Sequence, residues 1–330
     1  MTSNLRTTAL LAATAIMLSS GIVQAESLTI ATFSDPTPMN AARAQHEFEK
    51  ATGWTIDWRV FDSGTDVIAA MASGDVKVAE LGSSPLAIAA TQGVDLKMFM
   101  ISYAIGDSES LIARNGSGID KLADIKGKRV AVPVGSTAHF SLMGAIAHAG
   151  MQPSDLTVMT MKPDQIAAAW GQGTIDAAFI WPPAQTEILK TGKRIVSAKD
   201  TAAWGYPTFN AWTVNSEFLA SHEKEVVAFA KAMNAANMAY LKDPAAWTPA
   251  NEQVKQIASV TGATADQIPE ILKGYTFIPL QEQVTDKWLG GAAKSIKATA
   301  EFLKAAGRID TVADDYSKFV TSTIAQEALK

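Results

Sequence analysis

The chain contains no cysteine. This absence excludes disulfide bonds, thiolate metal sites, iron–sulfur clusters and cysteine nucleophiles, and with them a large class of enzymes. It also excludes a lipid anchor on a cysteine beside a cleavage site. Three of the four histidines, His46, His148 and His222, lie in helical patterns and lack the spacing of metal ligands. We therefore expect neither a metal site nor a cofactor, and no catalytic residue.

The chain also has fewer positive than negative charges, with 28 lysines and arginines against 33 aspartates and glutamates. This balance does not suit a nucleic-acid partner. Long uncharged stretches are equally scarce, and the one that stands out covers residues 7–23, directly after Arg6. Its most apolar part, residues 9–18, is shorter than the roughly 20 residues that a membrane-spanning helix needs.

The uncharged stretch ends in Val23-Gln24-Ala25, compact residues of the kind that precede a signal-peptidase site. The sequence therefore predicts a signal peptide of residues 1–25, cleavage after Ala25 and export to the periplasm. A retained membrane anchor is the alternative interpretation. Removal of the signal peptide takes away only Arg6 among the charges, so the mature chain is slightly more acidic than the full chain, whose net charge is −5.

The chain is longer than the size at which a single hydrophobic core usually keeps growing, so two lobes are expected. Short apolar runs alternate with helical patterns along the first two thirds of the chain, and this alternation predicts α/β lobes with largely parallel sheets. The runs predicted to be strands are residues 28–31, 56–60, 78–81, 130–132, 156–161 and 175–180. Ligands bind such sheets at the carboxyl ends of the strands.

A weak internal repeat favours two related lobes. Residues 71–76 (MASGDV) lead into a strand and then into a helix that begins near Pro85. Residues 170–176 (WGQGTID) lead in the same way into a strand, Trp181 and a helix after two prolines. Proline suits the first turn of a helix because its missing N–H would have no partner there.

The domain boundaries follow from this organisation. We predict a first lobe from residues 26–110, a second lobe from residues 111–212, and a helical part from residues 213–330 that belongs to the first lobe. The short β-prone segments Ser110–Ala113 and Ala211–Val214 are interpreted as two hinge strands between the lobes.

Two strand-to-helix junctions are rich in hydroxyl groups, and one lies in each predicted lobe. Ser83 and Ser84 follow Gly82 in the first lobe, and Ser136 and Thr137 follow Gly135 in the second. Free N–H groups at a helix N-terminus bind anions, so the two junctions together could clamp a tetrahedral oxyanion. Alternatively, each hydroxyl side chain only caps its own helix.

Other side chains are placed near the same cleft. Trp181 ends an apolar strand before Pro182-Pro183, and Phe33 follows the first strand, so both could form walls of the site; packing in the core is the alternative. Glu109 lies at the predicted hinge and could pair with a cationic group, or could be a solvated surface carboxylate. His139 lies in the first turn after Thr137 and contacts either the ligand or the core.

These residues belong to longer blocks that resemble the periplasmic substrate-binding proteins of ABC importers for taurine and related sulfonates. The resemblance covers essentially the whole mature chain. It rests on residues 57–64 (DWRVFDSG), 81–87 (LGSSPLA), 127–133 (GKRVAVP), 168–170 (AAW), 204–208 (WGYPT) and 315–322 (DYSKFVTS).

The resemblance implies a type II periplasmic binding fold of two lobes, and a monomer that delivers taurine to a membrane permease and its ATPase. By position it implies that Ser83, Ser84, Ser136 and Thr137 hold the sulfonate, that Trp181 walls the pocket and that Glu109 approaches the amine. One position departs from the family pattern, since Asn210 stands where an aspartate is usual.

Two other functions compete with taurine binding. Asn210 is placed near the amine, so another small organosulfonate, such as isethionate or an alkanesulfonate, is the first alternative ligand. The second alternative is a pyrimidine-precursor synthase of the same fold. That enzyme branch depends on a cysteine-rich iron site, which this chain cannot form because it has no cysteine.

Overall fold

Aliphatic and β-branched runs form the strands of two β-sheets in the computed structural model, which describes residues 27–330. The strands are β1 (Ser27–Thr32), β2 (Thr55–Val60), β3 (Val78–Gly82), β4 (Lys97–Ile105), β5 (Ser110–Arg114), β6 (Arg129–Val132), β7 (Thr157–Thr160), β8 (Ala177–Ile180), β9 (Gly192–Ser197), β10 (Phe209–Val214) and β11 (Tyr275–Thr276). All six strands predicted from the sequence are present. The predicted signal peptide and its cleavage site after Ala25 lie outside the described residues.

The helices between and after these strands begin with local sequence signals. They are α1 (Pro38–Ala44), α2 (Glu47–Thr52), α3 (Gly64–Ala72), α4 (Ser83–Thr91), α5 (Thr137–His148), α6 (Pro163–Gln172), α7 (Ala184–Leu189), α8 (Ala198–Ala203), α9 (Ser216–Ser221), α10 (Glu223–Lys242), α11 (Glu252–Thr261), α12 (Ile268–Lys273), α13 (Leu280–Gln283), α14 (Ala292–Ala305) and α15 (Thr323–Ala328). The side chains of Ser63, Ser136 and Asn251 cap α3, α5 and α11 by accepting N–H groups of the first turn.

The two sheets share one arrangement of five strands, to which β11 adds a sixth in the first sheet. The first sheet has the order β11-β4-β10-β3-β1-β2, and the second has the order β7-β6-β8-β5-β9. In each sheet three neighbouring strands are parallel, namely β2, β1 and β3 in the first and β7, β6 and β8 in the second. The internal repeat in the sequence is therefore a repeat of structure, and the molecule consists of two related α/β lobes.

The expectation of largely parallel sheets is wrong for the remaining strands. β10 is antiparallel to β3 and to β4, and β5 is antiparallel to β8 and to β9. The reason is the path of the chain between the lobes. The chain enters β5 and β10 directly after it has crossed from the other lobe. Both strands therefore begin beside the carboxyl ends of the parallel strands and run in the opposite direction to them.

The crossings also move the predicted boundary of the second lobe. β5, which includes Ser110–Ala113, lies inside the second sheet, and β10, which includes Ala211–Val214, lies inside the first. Neither segment is a hinge strand. The chain crosses between the end of β4 at Ile105 and the start of β5, and returns between α8 and Phe209, so residues 209–212 belong to the first lobe rather than to the second.

Each lobe has its own apolar core. In the first lobe, Trp212 and Phe99 of the sheet pack against Phe229 of α10, with ring centroids 5.0 Å and 6.4 Å from that ring. In the second lobe, Leu111 and Phe179 are fully buried beneath α5. The C-terminal helices pack mainly on the first lobe, and α14 also reaches the second lobe. None of the helices within residues 27–330 has both the length and the apolar character that crossing a membrane requires.

The lobes touch across the cleft. Phe140 of α5 packs edge-on against Phe302 of α14, with ring centroids 4.8 Å apart. Lys162, beside α6, forms an ion pair of 3.4 Å with Asp66 of α3. A Cβ atom placed on Gly82 would lie 2.8 Å from Cγ2 of Thr137 in the other lobe. The cleft between the lobes is thus nearly closed. Because Gly82 has no side chain, the two lobes can approach each other this closely.

Candidate functional site

A cavity lies in the cleft between the two lobes, where the carboxyl ends of the parallel strands meet. The space open to the centre of a water molecule is about 40 Å³. Since one water needs roughly 10–15 Å³ on that measure, the cavity suits a few waters or one small molecule. Its walls are formed by Phe33, Asp35, Gly64, Gly82, Pro85, Tyr103, Ile105, Ser108, Glu109, Ser136, Thr137, Trp181, Asn210 and Tyr275.

Three helices direct their N-termini towards this cavity. Gly64 begins α3, Gly82 precedes α4, and Thr137 begins α5, and all three residues line the cavity. The first N–H groups of a helix have no partner within the helix, and the aligned peptide dipoles add a partial positive charge at that end. The cavity can therefore hold an anion with neutral donors supplied by both lobes.

The hydroxyl groups of the second junction are already in use. Ser136 Oγ accepts the N–H of His139 at 3.1 Å and donates to the carbonyl oxygen of Pro133 at 2.6 Å. Thr137 Oγ1 donates to Glu109 Oε1 at 2.5 Å. Ser136 is thus the helix cap of the alternative interpretation, and its side chain lines the cavity as well. The backbone N–H groups of this first turn are the donors that remain for an anion.

Ser83, Ser84 and His139 lie behind the cavity wall. Ser83 Oγ accepts the N–H of Phe209 at 3.4 Å, and Ser84 is completely buried. His139 is also completely buried, its Nδ1 accepts the N–H of Gly135 at 3.4 Å, and burial lowers its pKa to about 4. The histidine is therefore neutral near pH 7. None of the three side chains is part of the cavity lining among the described residues.

Three carboxyl groups lie in or directly behind the cavity. Glu109 and Asp35 line it, and Glu80 of β3 lies beneath. Burial raises the pKa of Glu109 to about 8 and that of Asp35 to about 6. Burial, and then the nearby charge of Asp35, raise the pKa of Glu80 to about 8. No lysine, arginine or histidine lines the cavity within residues 27–330, so these acids face no cation there.

Asn210 is connected to Asp35 through a tyrosine. Asn210 Nδ2 donates to the hydroxyl oxygen of Tyr103 at 2.6 Å, and this hydroxyl donates to Asp35 Oδ2 at 2.6 Å. Asn210 lies opposite Gly82 on β3 and opposite Tyr103 on β4. The asparagine faces the cavity, as the sequence predicts, but its amide holds a tyrosine rather than standing free.

Aromatic side chains complete the walls. Phe33 and Trp181 are half-buried and lie on opposite lobes. Trp181 also packs against the core of the second lobe, as the alternative interpretation has it, and its contact with a ligand stays a prediction. On another side Tyr103 and Tyr275 pack together with ring centroids 4.5 Å apart.

Sequence reasoning missed Asp35, Tyr103, Ser108 and Tyr275. Asp35 lies three residues beyond the end of β1, so the rule that ligands bind at strand ends could have found it. Tyr103 lies within β4, which was not predicted, and Tyr275 belongs to the two-residue β11. Their positions depend on long-range pairing that leaves no local signal. No cluster of residues suited to a metal ion occurs in the part of the chain that the structure describes.

Comparison with known proteins places this site in a family. A family model described as NMT1/THI5 like matches residues 45–246. The chain is 39% identical to the taurine-binding periplasmic protein of Escherichia coli K12 over 303 residues, which cover 92% of this chain and 94% of that protein.

Solved structures share the fold of this chain at low sequence identity. The periplasmic aliphatic sulphonate binding protein SsuA of Escherichia coli superposes with a TM-score of 0.72 at 20% identity, covering 92% of this chain and all of that one. The desulfurization enzyme DszB superposes with a TM-score of 0.65 at 14% identity, covering 92% and 99%. At these identities the likeness establishes the two-lobed fold alone. Because the family model spans more than half of the chain and the E. coli relative matches nearly all of it, this protein belongs to the NMT1/THI5-like family.

Proposed function

We propose that this chain is the periplasmic substrate-binding protein of an ABC importer and that it binds taurine, 2-aminoethanesulfonate, between its lobes. One observation carries the proposal. Helix N-termini from both lobes meet in a small cavity that also contains buried carboxyl groups. The helix ends favour an anion and the carboxyl groups favour a cation, and a small zwitterion with a sulfonate at one end supplies both. The name of the E. coli relative supports the same ligand.

The sulfonate is placed at the N-termini of α4 and α5. Its oxygen atoms accept backbone N–H groups of Ser83, Ser84 and Thr137. The hydroxyl of Thr137 becomes a further donor when it turns from Glu109 to the ligand. Ser136 and His139 support this turn from behind. Phe33 and Trp181 enclose the two carbon atoms of the ligand, while Glu109 and Asn210 lie near its amine. This assignment agrees with the lining of the cavity for six of the nine residues expected from the sequence.

The delivery partners are a membrane permease and its ATPase. We infer that the mature protein is a periplasmic monomer that presents its closed, loaded form to the permease. The name of the E. coli relative, a periplasmic protein, supports this location. Size-exclusion chromatography with light scattering should give the mass of one chain.

Binding without chemical conversion is the second part of the proposal. The E. coli relative is a binding protein by name, whereas a desulfurization enzyme shares the fold, so the fold does not decide the matter. The purified protein incubated with taurine should release no sulfite and leave the taurine concentration unchanged. Sulfite in stoichiometric excess over protein would overturn the assignment as a binding protein.

Calorimetric titration of refolded, ligand-free protein tests the ligand. The panel contains taurine, isethionate, ethanesulfonate, β-alanine and sulfate. We expect taurine to bind most tightly, isethionate and ethanesulfonate more weakly, and β-alanine, whose carboxylate replaces the sulfonate, weakly or not at all. Tightest binding of isethionate or ethanesulfonate would favour the alternative organosulfonate. Absence of binding by every sulfonate would refute the proposal.

A further inference from the structure

Asp35 is the one carboxylate of the cavity that is fixed in place by a directed chain of hydrogen bonds. Its side chain lines the cavity and is only 8% exposed. Oδ2 accepts the hydroxyl proton of Tyr103 at 2.6 Å. The backbone is held as well, because Asn40 Nδ2 donates to the carbonyl oxygen of Asp35 at 2.8 Å.

The direction of the chain is set by its far end. An amide N–H₂ can only donate, so Asn210 Nδ2 must give its proton to the Tyr103 oxygen. The tyrosine hydroxyl is then directed to Asp35 as the donor, and an oxygen that accepts such a bond is favoured in its ionised form. Asn210 and Tyr103 therefore prepare Asp35 as an acceptor, with its other oxygen left for a ligand.

Glu109 is in a different state. Its Oε1 accepts the hydroxyl of Thr137, and its Oε2 has no hydrogen-bond partner among residues 27–330. Burial raises the pKa of both acids, and a hydrogen bond opposes this in each, from Tyr103 to Asp35 and from Thr137 to Glu109. The pKa of Asp35 is about 6, whereas that of Glu109, which the nearby charge of Asp35 raises further, is about 8. Near pH 7 Asp35 is mainly ionised and Glu109 mainly protonated.

The remaining titratable groups around Asp35 do not supply a counter-charge. Tyr103 and Tyr275 are buried with pKa values raised well above their usual range, so both are neutral. Glu80, behind the wall, has a pKa raised to about 8 and is mainly protonated near pH 7. A single negative charge thus faces the cavity without a cationic side chain among the described lining residues.

We propose that Asp35, oriented by Tyr103 and Asn210, pairs with the cationic group of the ligand and makes the site select an ammonium sulfonate over its hydroxyl analogue. This inference rests on the proposed function and deepens it. Asn210 and Tyr103 act as positioning residues. The selectivity that an aspartate at position 210 would provide comes here from Asp35, on a different element of the first lobe.

The test compares taurine with isethionate, which differ only in carrying an ammonium or a hydroxyl group. Asp35→Asn keeps the shape and removes the charge, and Glu109→Gln is the matched control in the same cavity. We expect Asp35→Asn to lower the taurine-to-isethionate affinity ratio by roughly 10- to 100-fold, the range for loss of a charged hydrogen bond. Because Glu109 is mainly protonated near pH 7 and glutamine mimics that neutral form, Glu109→Gln should change both affinities alike. An unchanged ratio in Asp35→Asn, or a collapse of the ratio in Glu109→Gln alone, would overturn the inference.

The pH profile of the wild-type protein provides a test that needs no variant. Both sulfonates keep their charge between pH 5 and 8, and isethionate has no other titrating group, so it reports any general effect of pH. We expect the affinity ratio to fall as the pH drops through about 6, where Asp35 takes up a proton. In Tyr103→Phe the fall should move to higher pH, because the carboxylate loses a stabilising hydrogen bond, whereas a merely structural tyrosine would leave the profile in place.

The outcomes separate the two proposals. If neither sulfonate binds the wild-type protein, the proposed function fails, and this inference fails with it. If both bind but the ratio is the same at pH 5 and pH 8 and in Asp35→Asn, the protein is a sulfonate-binding protein in which Asp35 does not face the amine.

Discussion

Ser136 and Thr137 follow each other in the sequence but have different roles in the structure. Ser136 Oγ caps α5, whereas Thr137 Oγ1 bonds to Glu109 inside the cavity. A double alanine substitution would therefore combine the loss of a helix cap with the loss of a hydroxyl group in the cavity.

Separate substitutions distinguish the two roles. Ser136→Ala should lower the free energy of unfolding by about 1 kcal/mol through loss of the cap. Thr137→Val should weaken sulfonate binding by about 1–3 kcal/mol, because a buried acceptor loses a donor. Thr157→Val, on an exposed position of β7 in the same lobe, is the matched control. Denaturant unfolding and calorimetry measure the two effects, and equal affinity of Thr137→Val and wild type would show that this hydroxyl does not reach the ligand.

Asn210 shows how far a single residue could be understood from the sequence. The sequence places it near the amine of the ligand and offers Glu109 as the carboxylate there. The structure adds Asp35 and Glu80 to the same buried network, so Glu109 is not the only carboxyl group nearby. No sequence pattern connects positions 35, 80 and 210. The pairing of β3 with β1 and β10, and of β10 with β4, brings them together.

Asn210→Asp should consequently not raise the preference of the site for taurine. A new carboxylate cannot donate to Tyr103, and it adds negative charge beside Asp35 and Glu80. We expect a lower free energy of unfolding near pH 7 and no increase in the taurine-to-isethionate ratio. Urea unfolding and calorimetric titration measure the two quantities. A raised taurine-to-isethionate ratio together with unchanged stability would mean that residue 210 faces the amine of the ligand.

At the scale of elements, the strands with strong apolar runs were predictable, and those that depend on lobe crossing were not. β4 has six consecutive buried residues, 98–103, but no alternation with a following helix, and β10 was interpreted as a hinge. Parallel strands were expected because strands alternated with helices, yet direct crossing between lobes makes β5 and β10 antiparallel. The strand-to-helix junctions were predicted correctly because glycine, serine and proline mark the start of each helix in the local sequence.

The β3–α4 junction offers a test of lobe closure. A Cβ atom at residue 82 would lie 2.8 Å from Thr137 Cγ2 and 3.2 Å from Asn210 Oδ1. Gly82→Ala should therefore oppose closure and weaken ligand binding by about 1–3 kcal/mol, the usual cost of overpacking. Gly171→Ala, in α6 with open space around the new methyl group, is the control and should bind normally.

Small-angle scattering with and without taurine reports closure for both variants. If Gly82→Ala closes on ligand and binds as tightly as the wild type, then the contact between Gly82 and Thr137 does not limit the approach of the lobes.

At the scale of the whole molecule, the sequence predicts export with cleavage of a signal peptide. The stretch of residues 7–23 and the ending Val23-Gln24-Ala25 predict that the mature chain begins with Glu26. β1 begins at Ser27, so this cut would leave one residue before the first strand. Intact-mass spectrometry of a periplasmic extract should give the mass of residues 26–330. Recovery of the uncut chain from membranes would favour the retained anchor.

The buried acids also make the stability of the whole ligand-free molecule depend on pH. Glu80 and Glu109 have pKa values of about 8 in the folded state, above the ordinary 4.5, because burial disfavours their charged forms. Between these values the folded protein holds protons that the unfolded chain has lost. Stability is therefore greatest at the low end of this range and falls as the pH rises through about 8, by up to about 1.4 kcal/mol per pH unit for each acid.

The interval from pH 6.5 to 8 isolates this effect. Below it Asp35, with a pKa of about 6, acts in the same direction, whereas His139, with a pKa lowered to about 4, acts in the opposite one. Within it we expect the free energy of unfolding in urea to decrease steadily with pH for the ligand-free protein. Glu80→Gln mimics the protonated acid and should reduce the slope without touching the cavity wall. A wild-type stability that is flat or rising from pH 6.5 to 8 would mean that both glutamates are ionised in the folded protein.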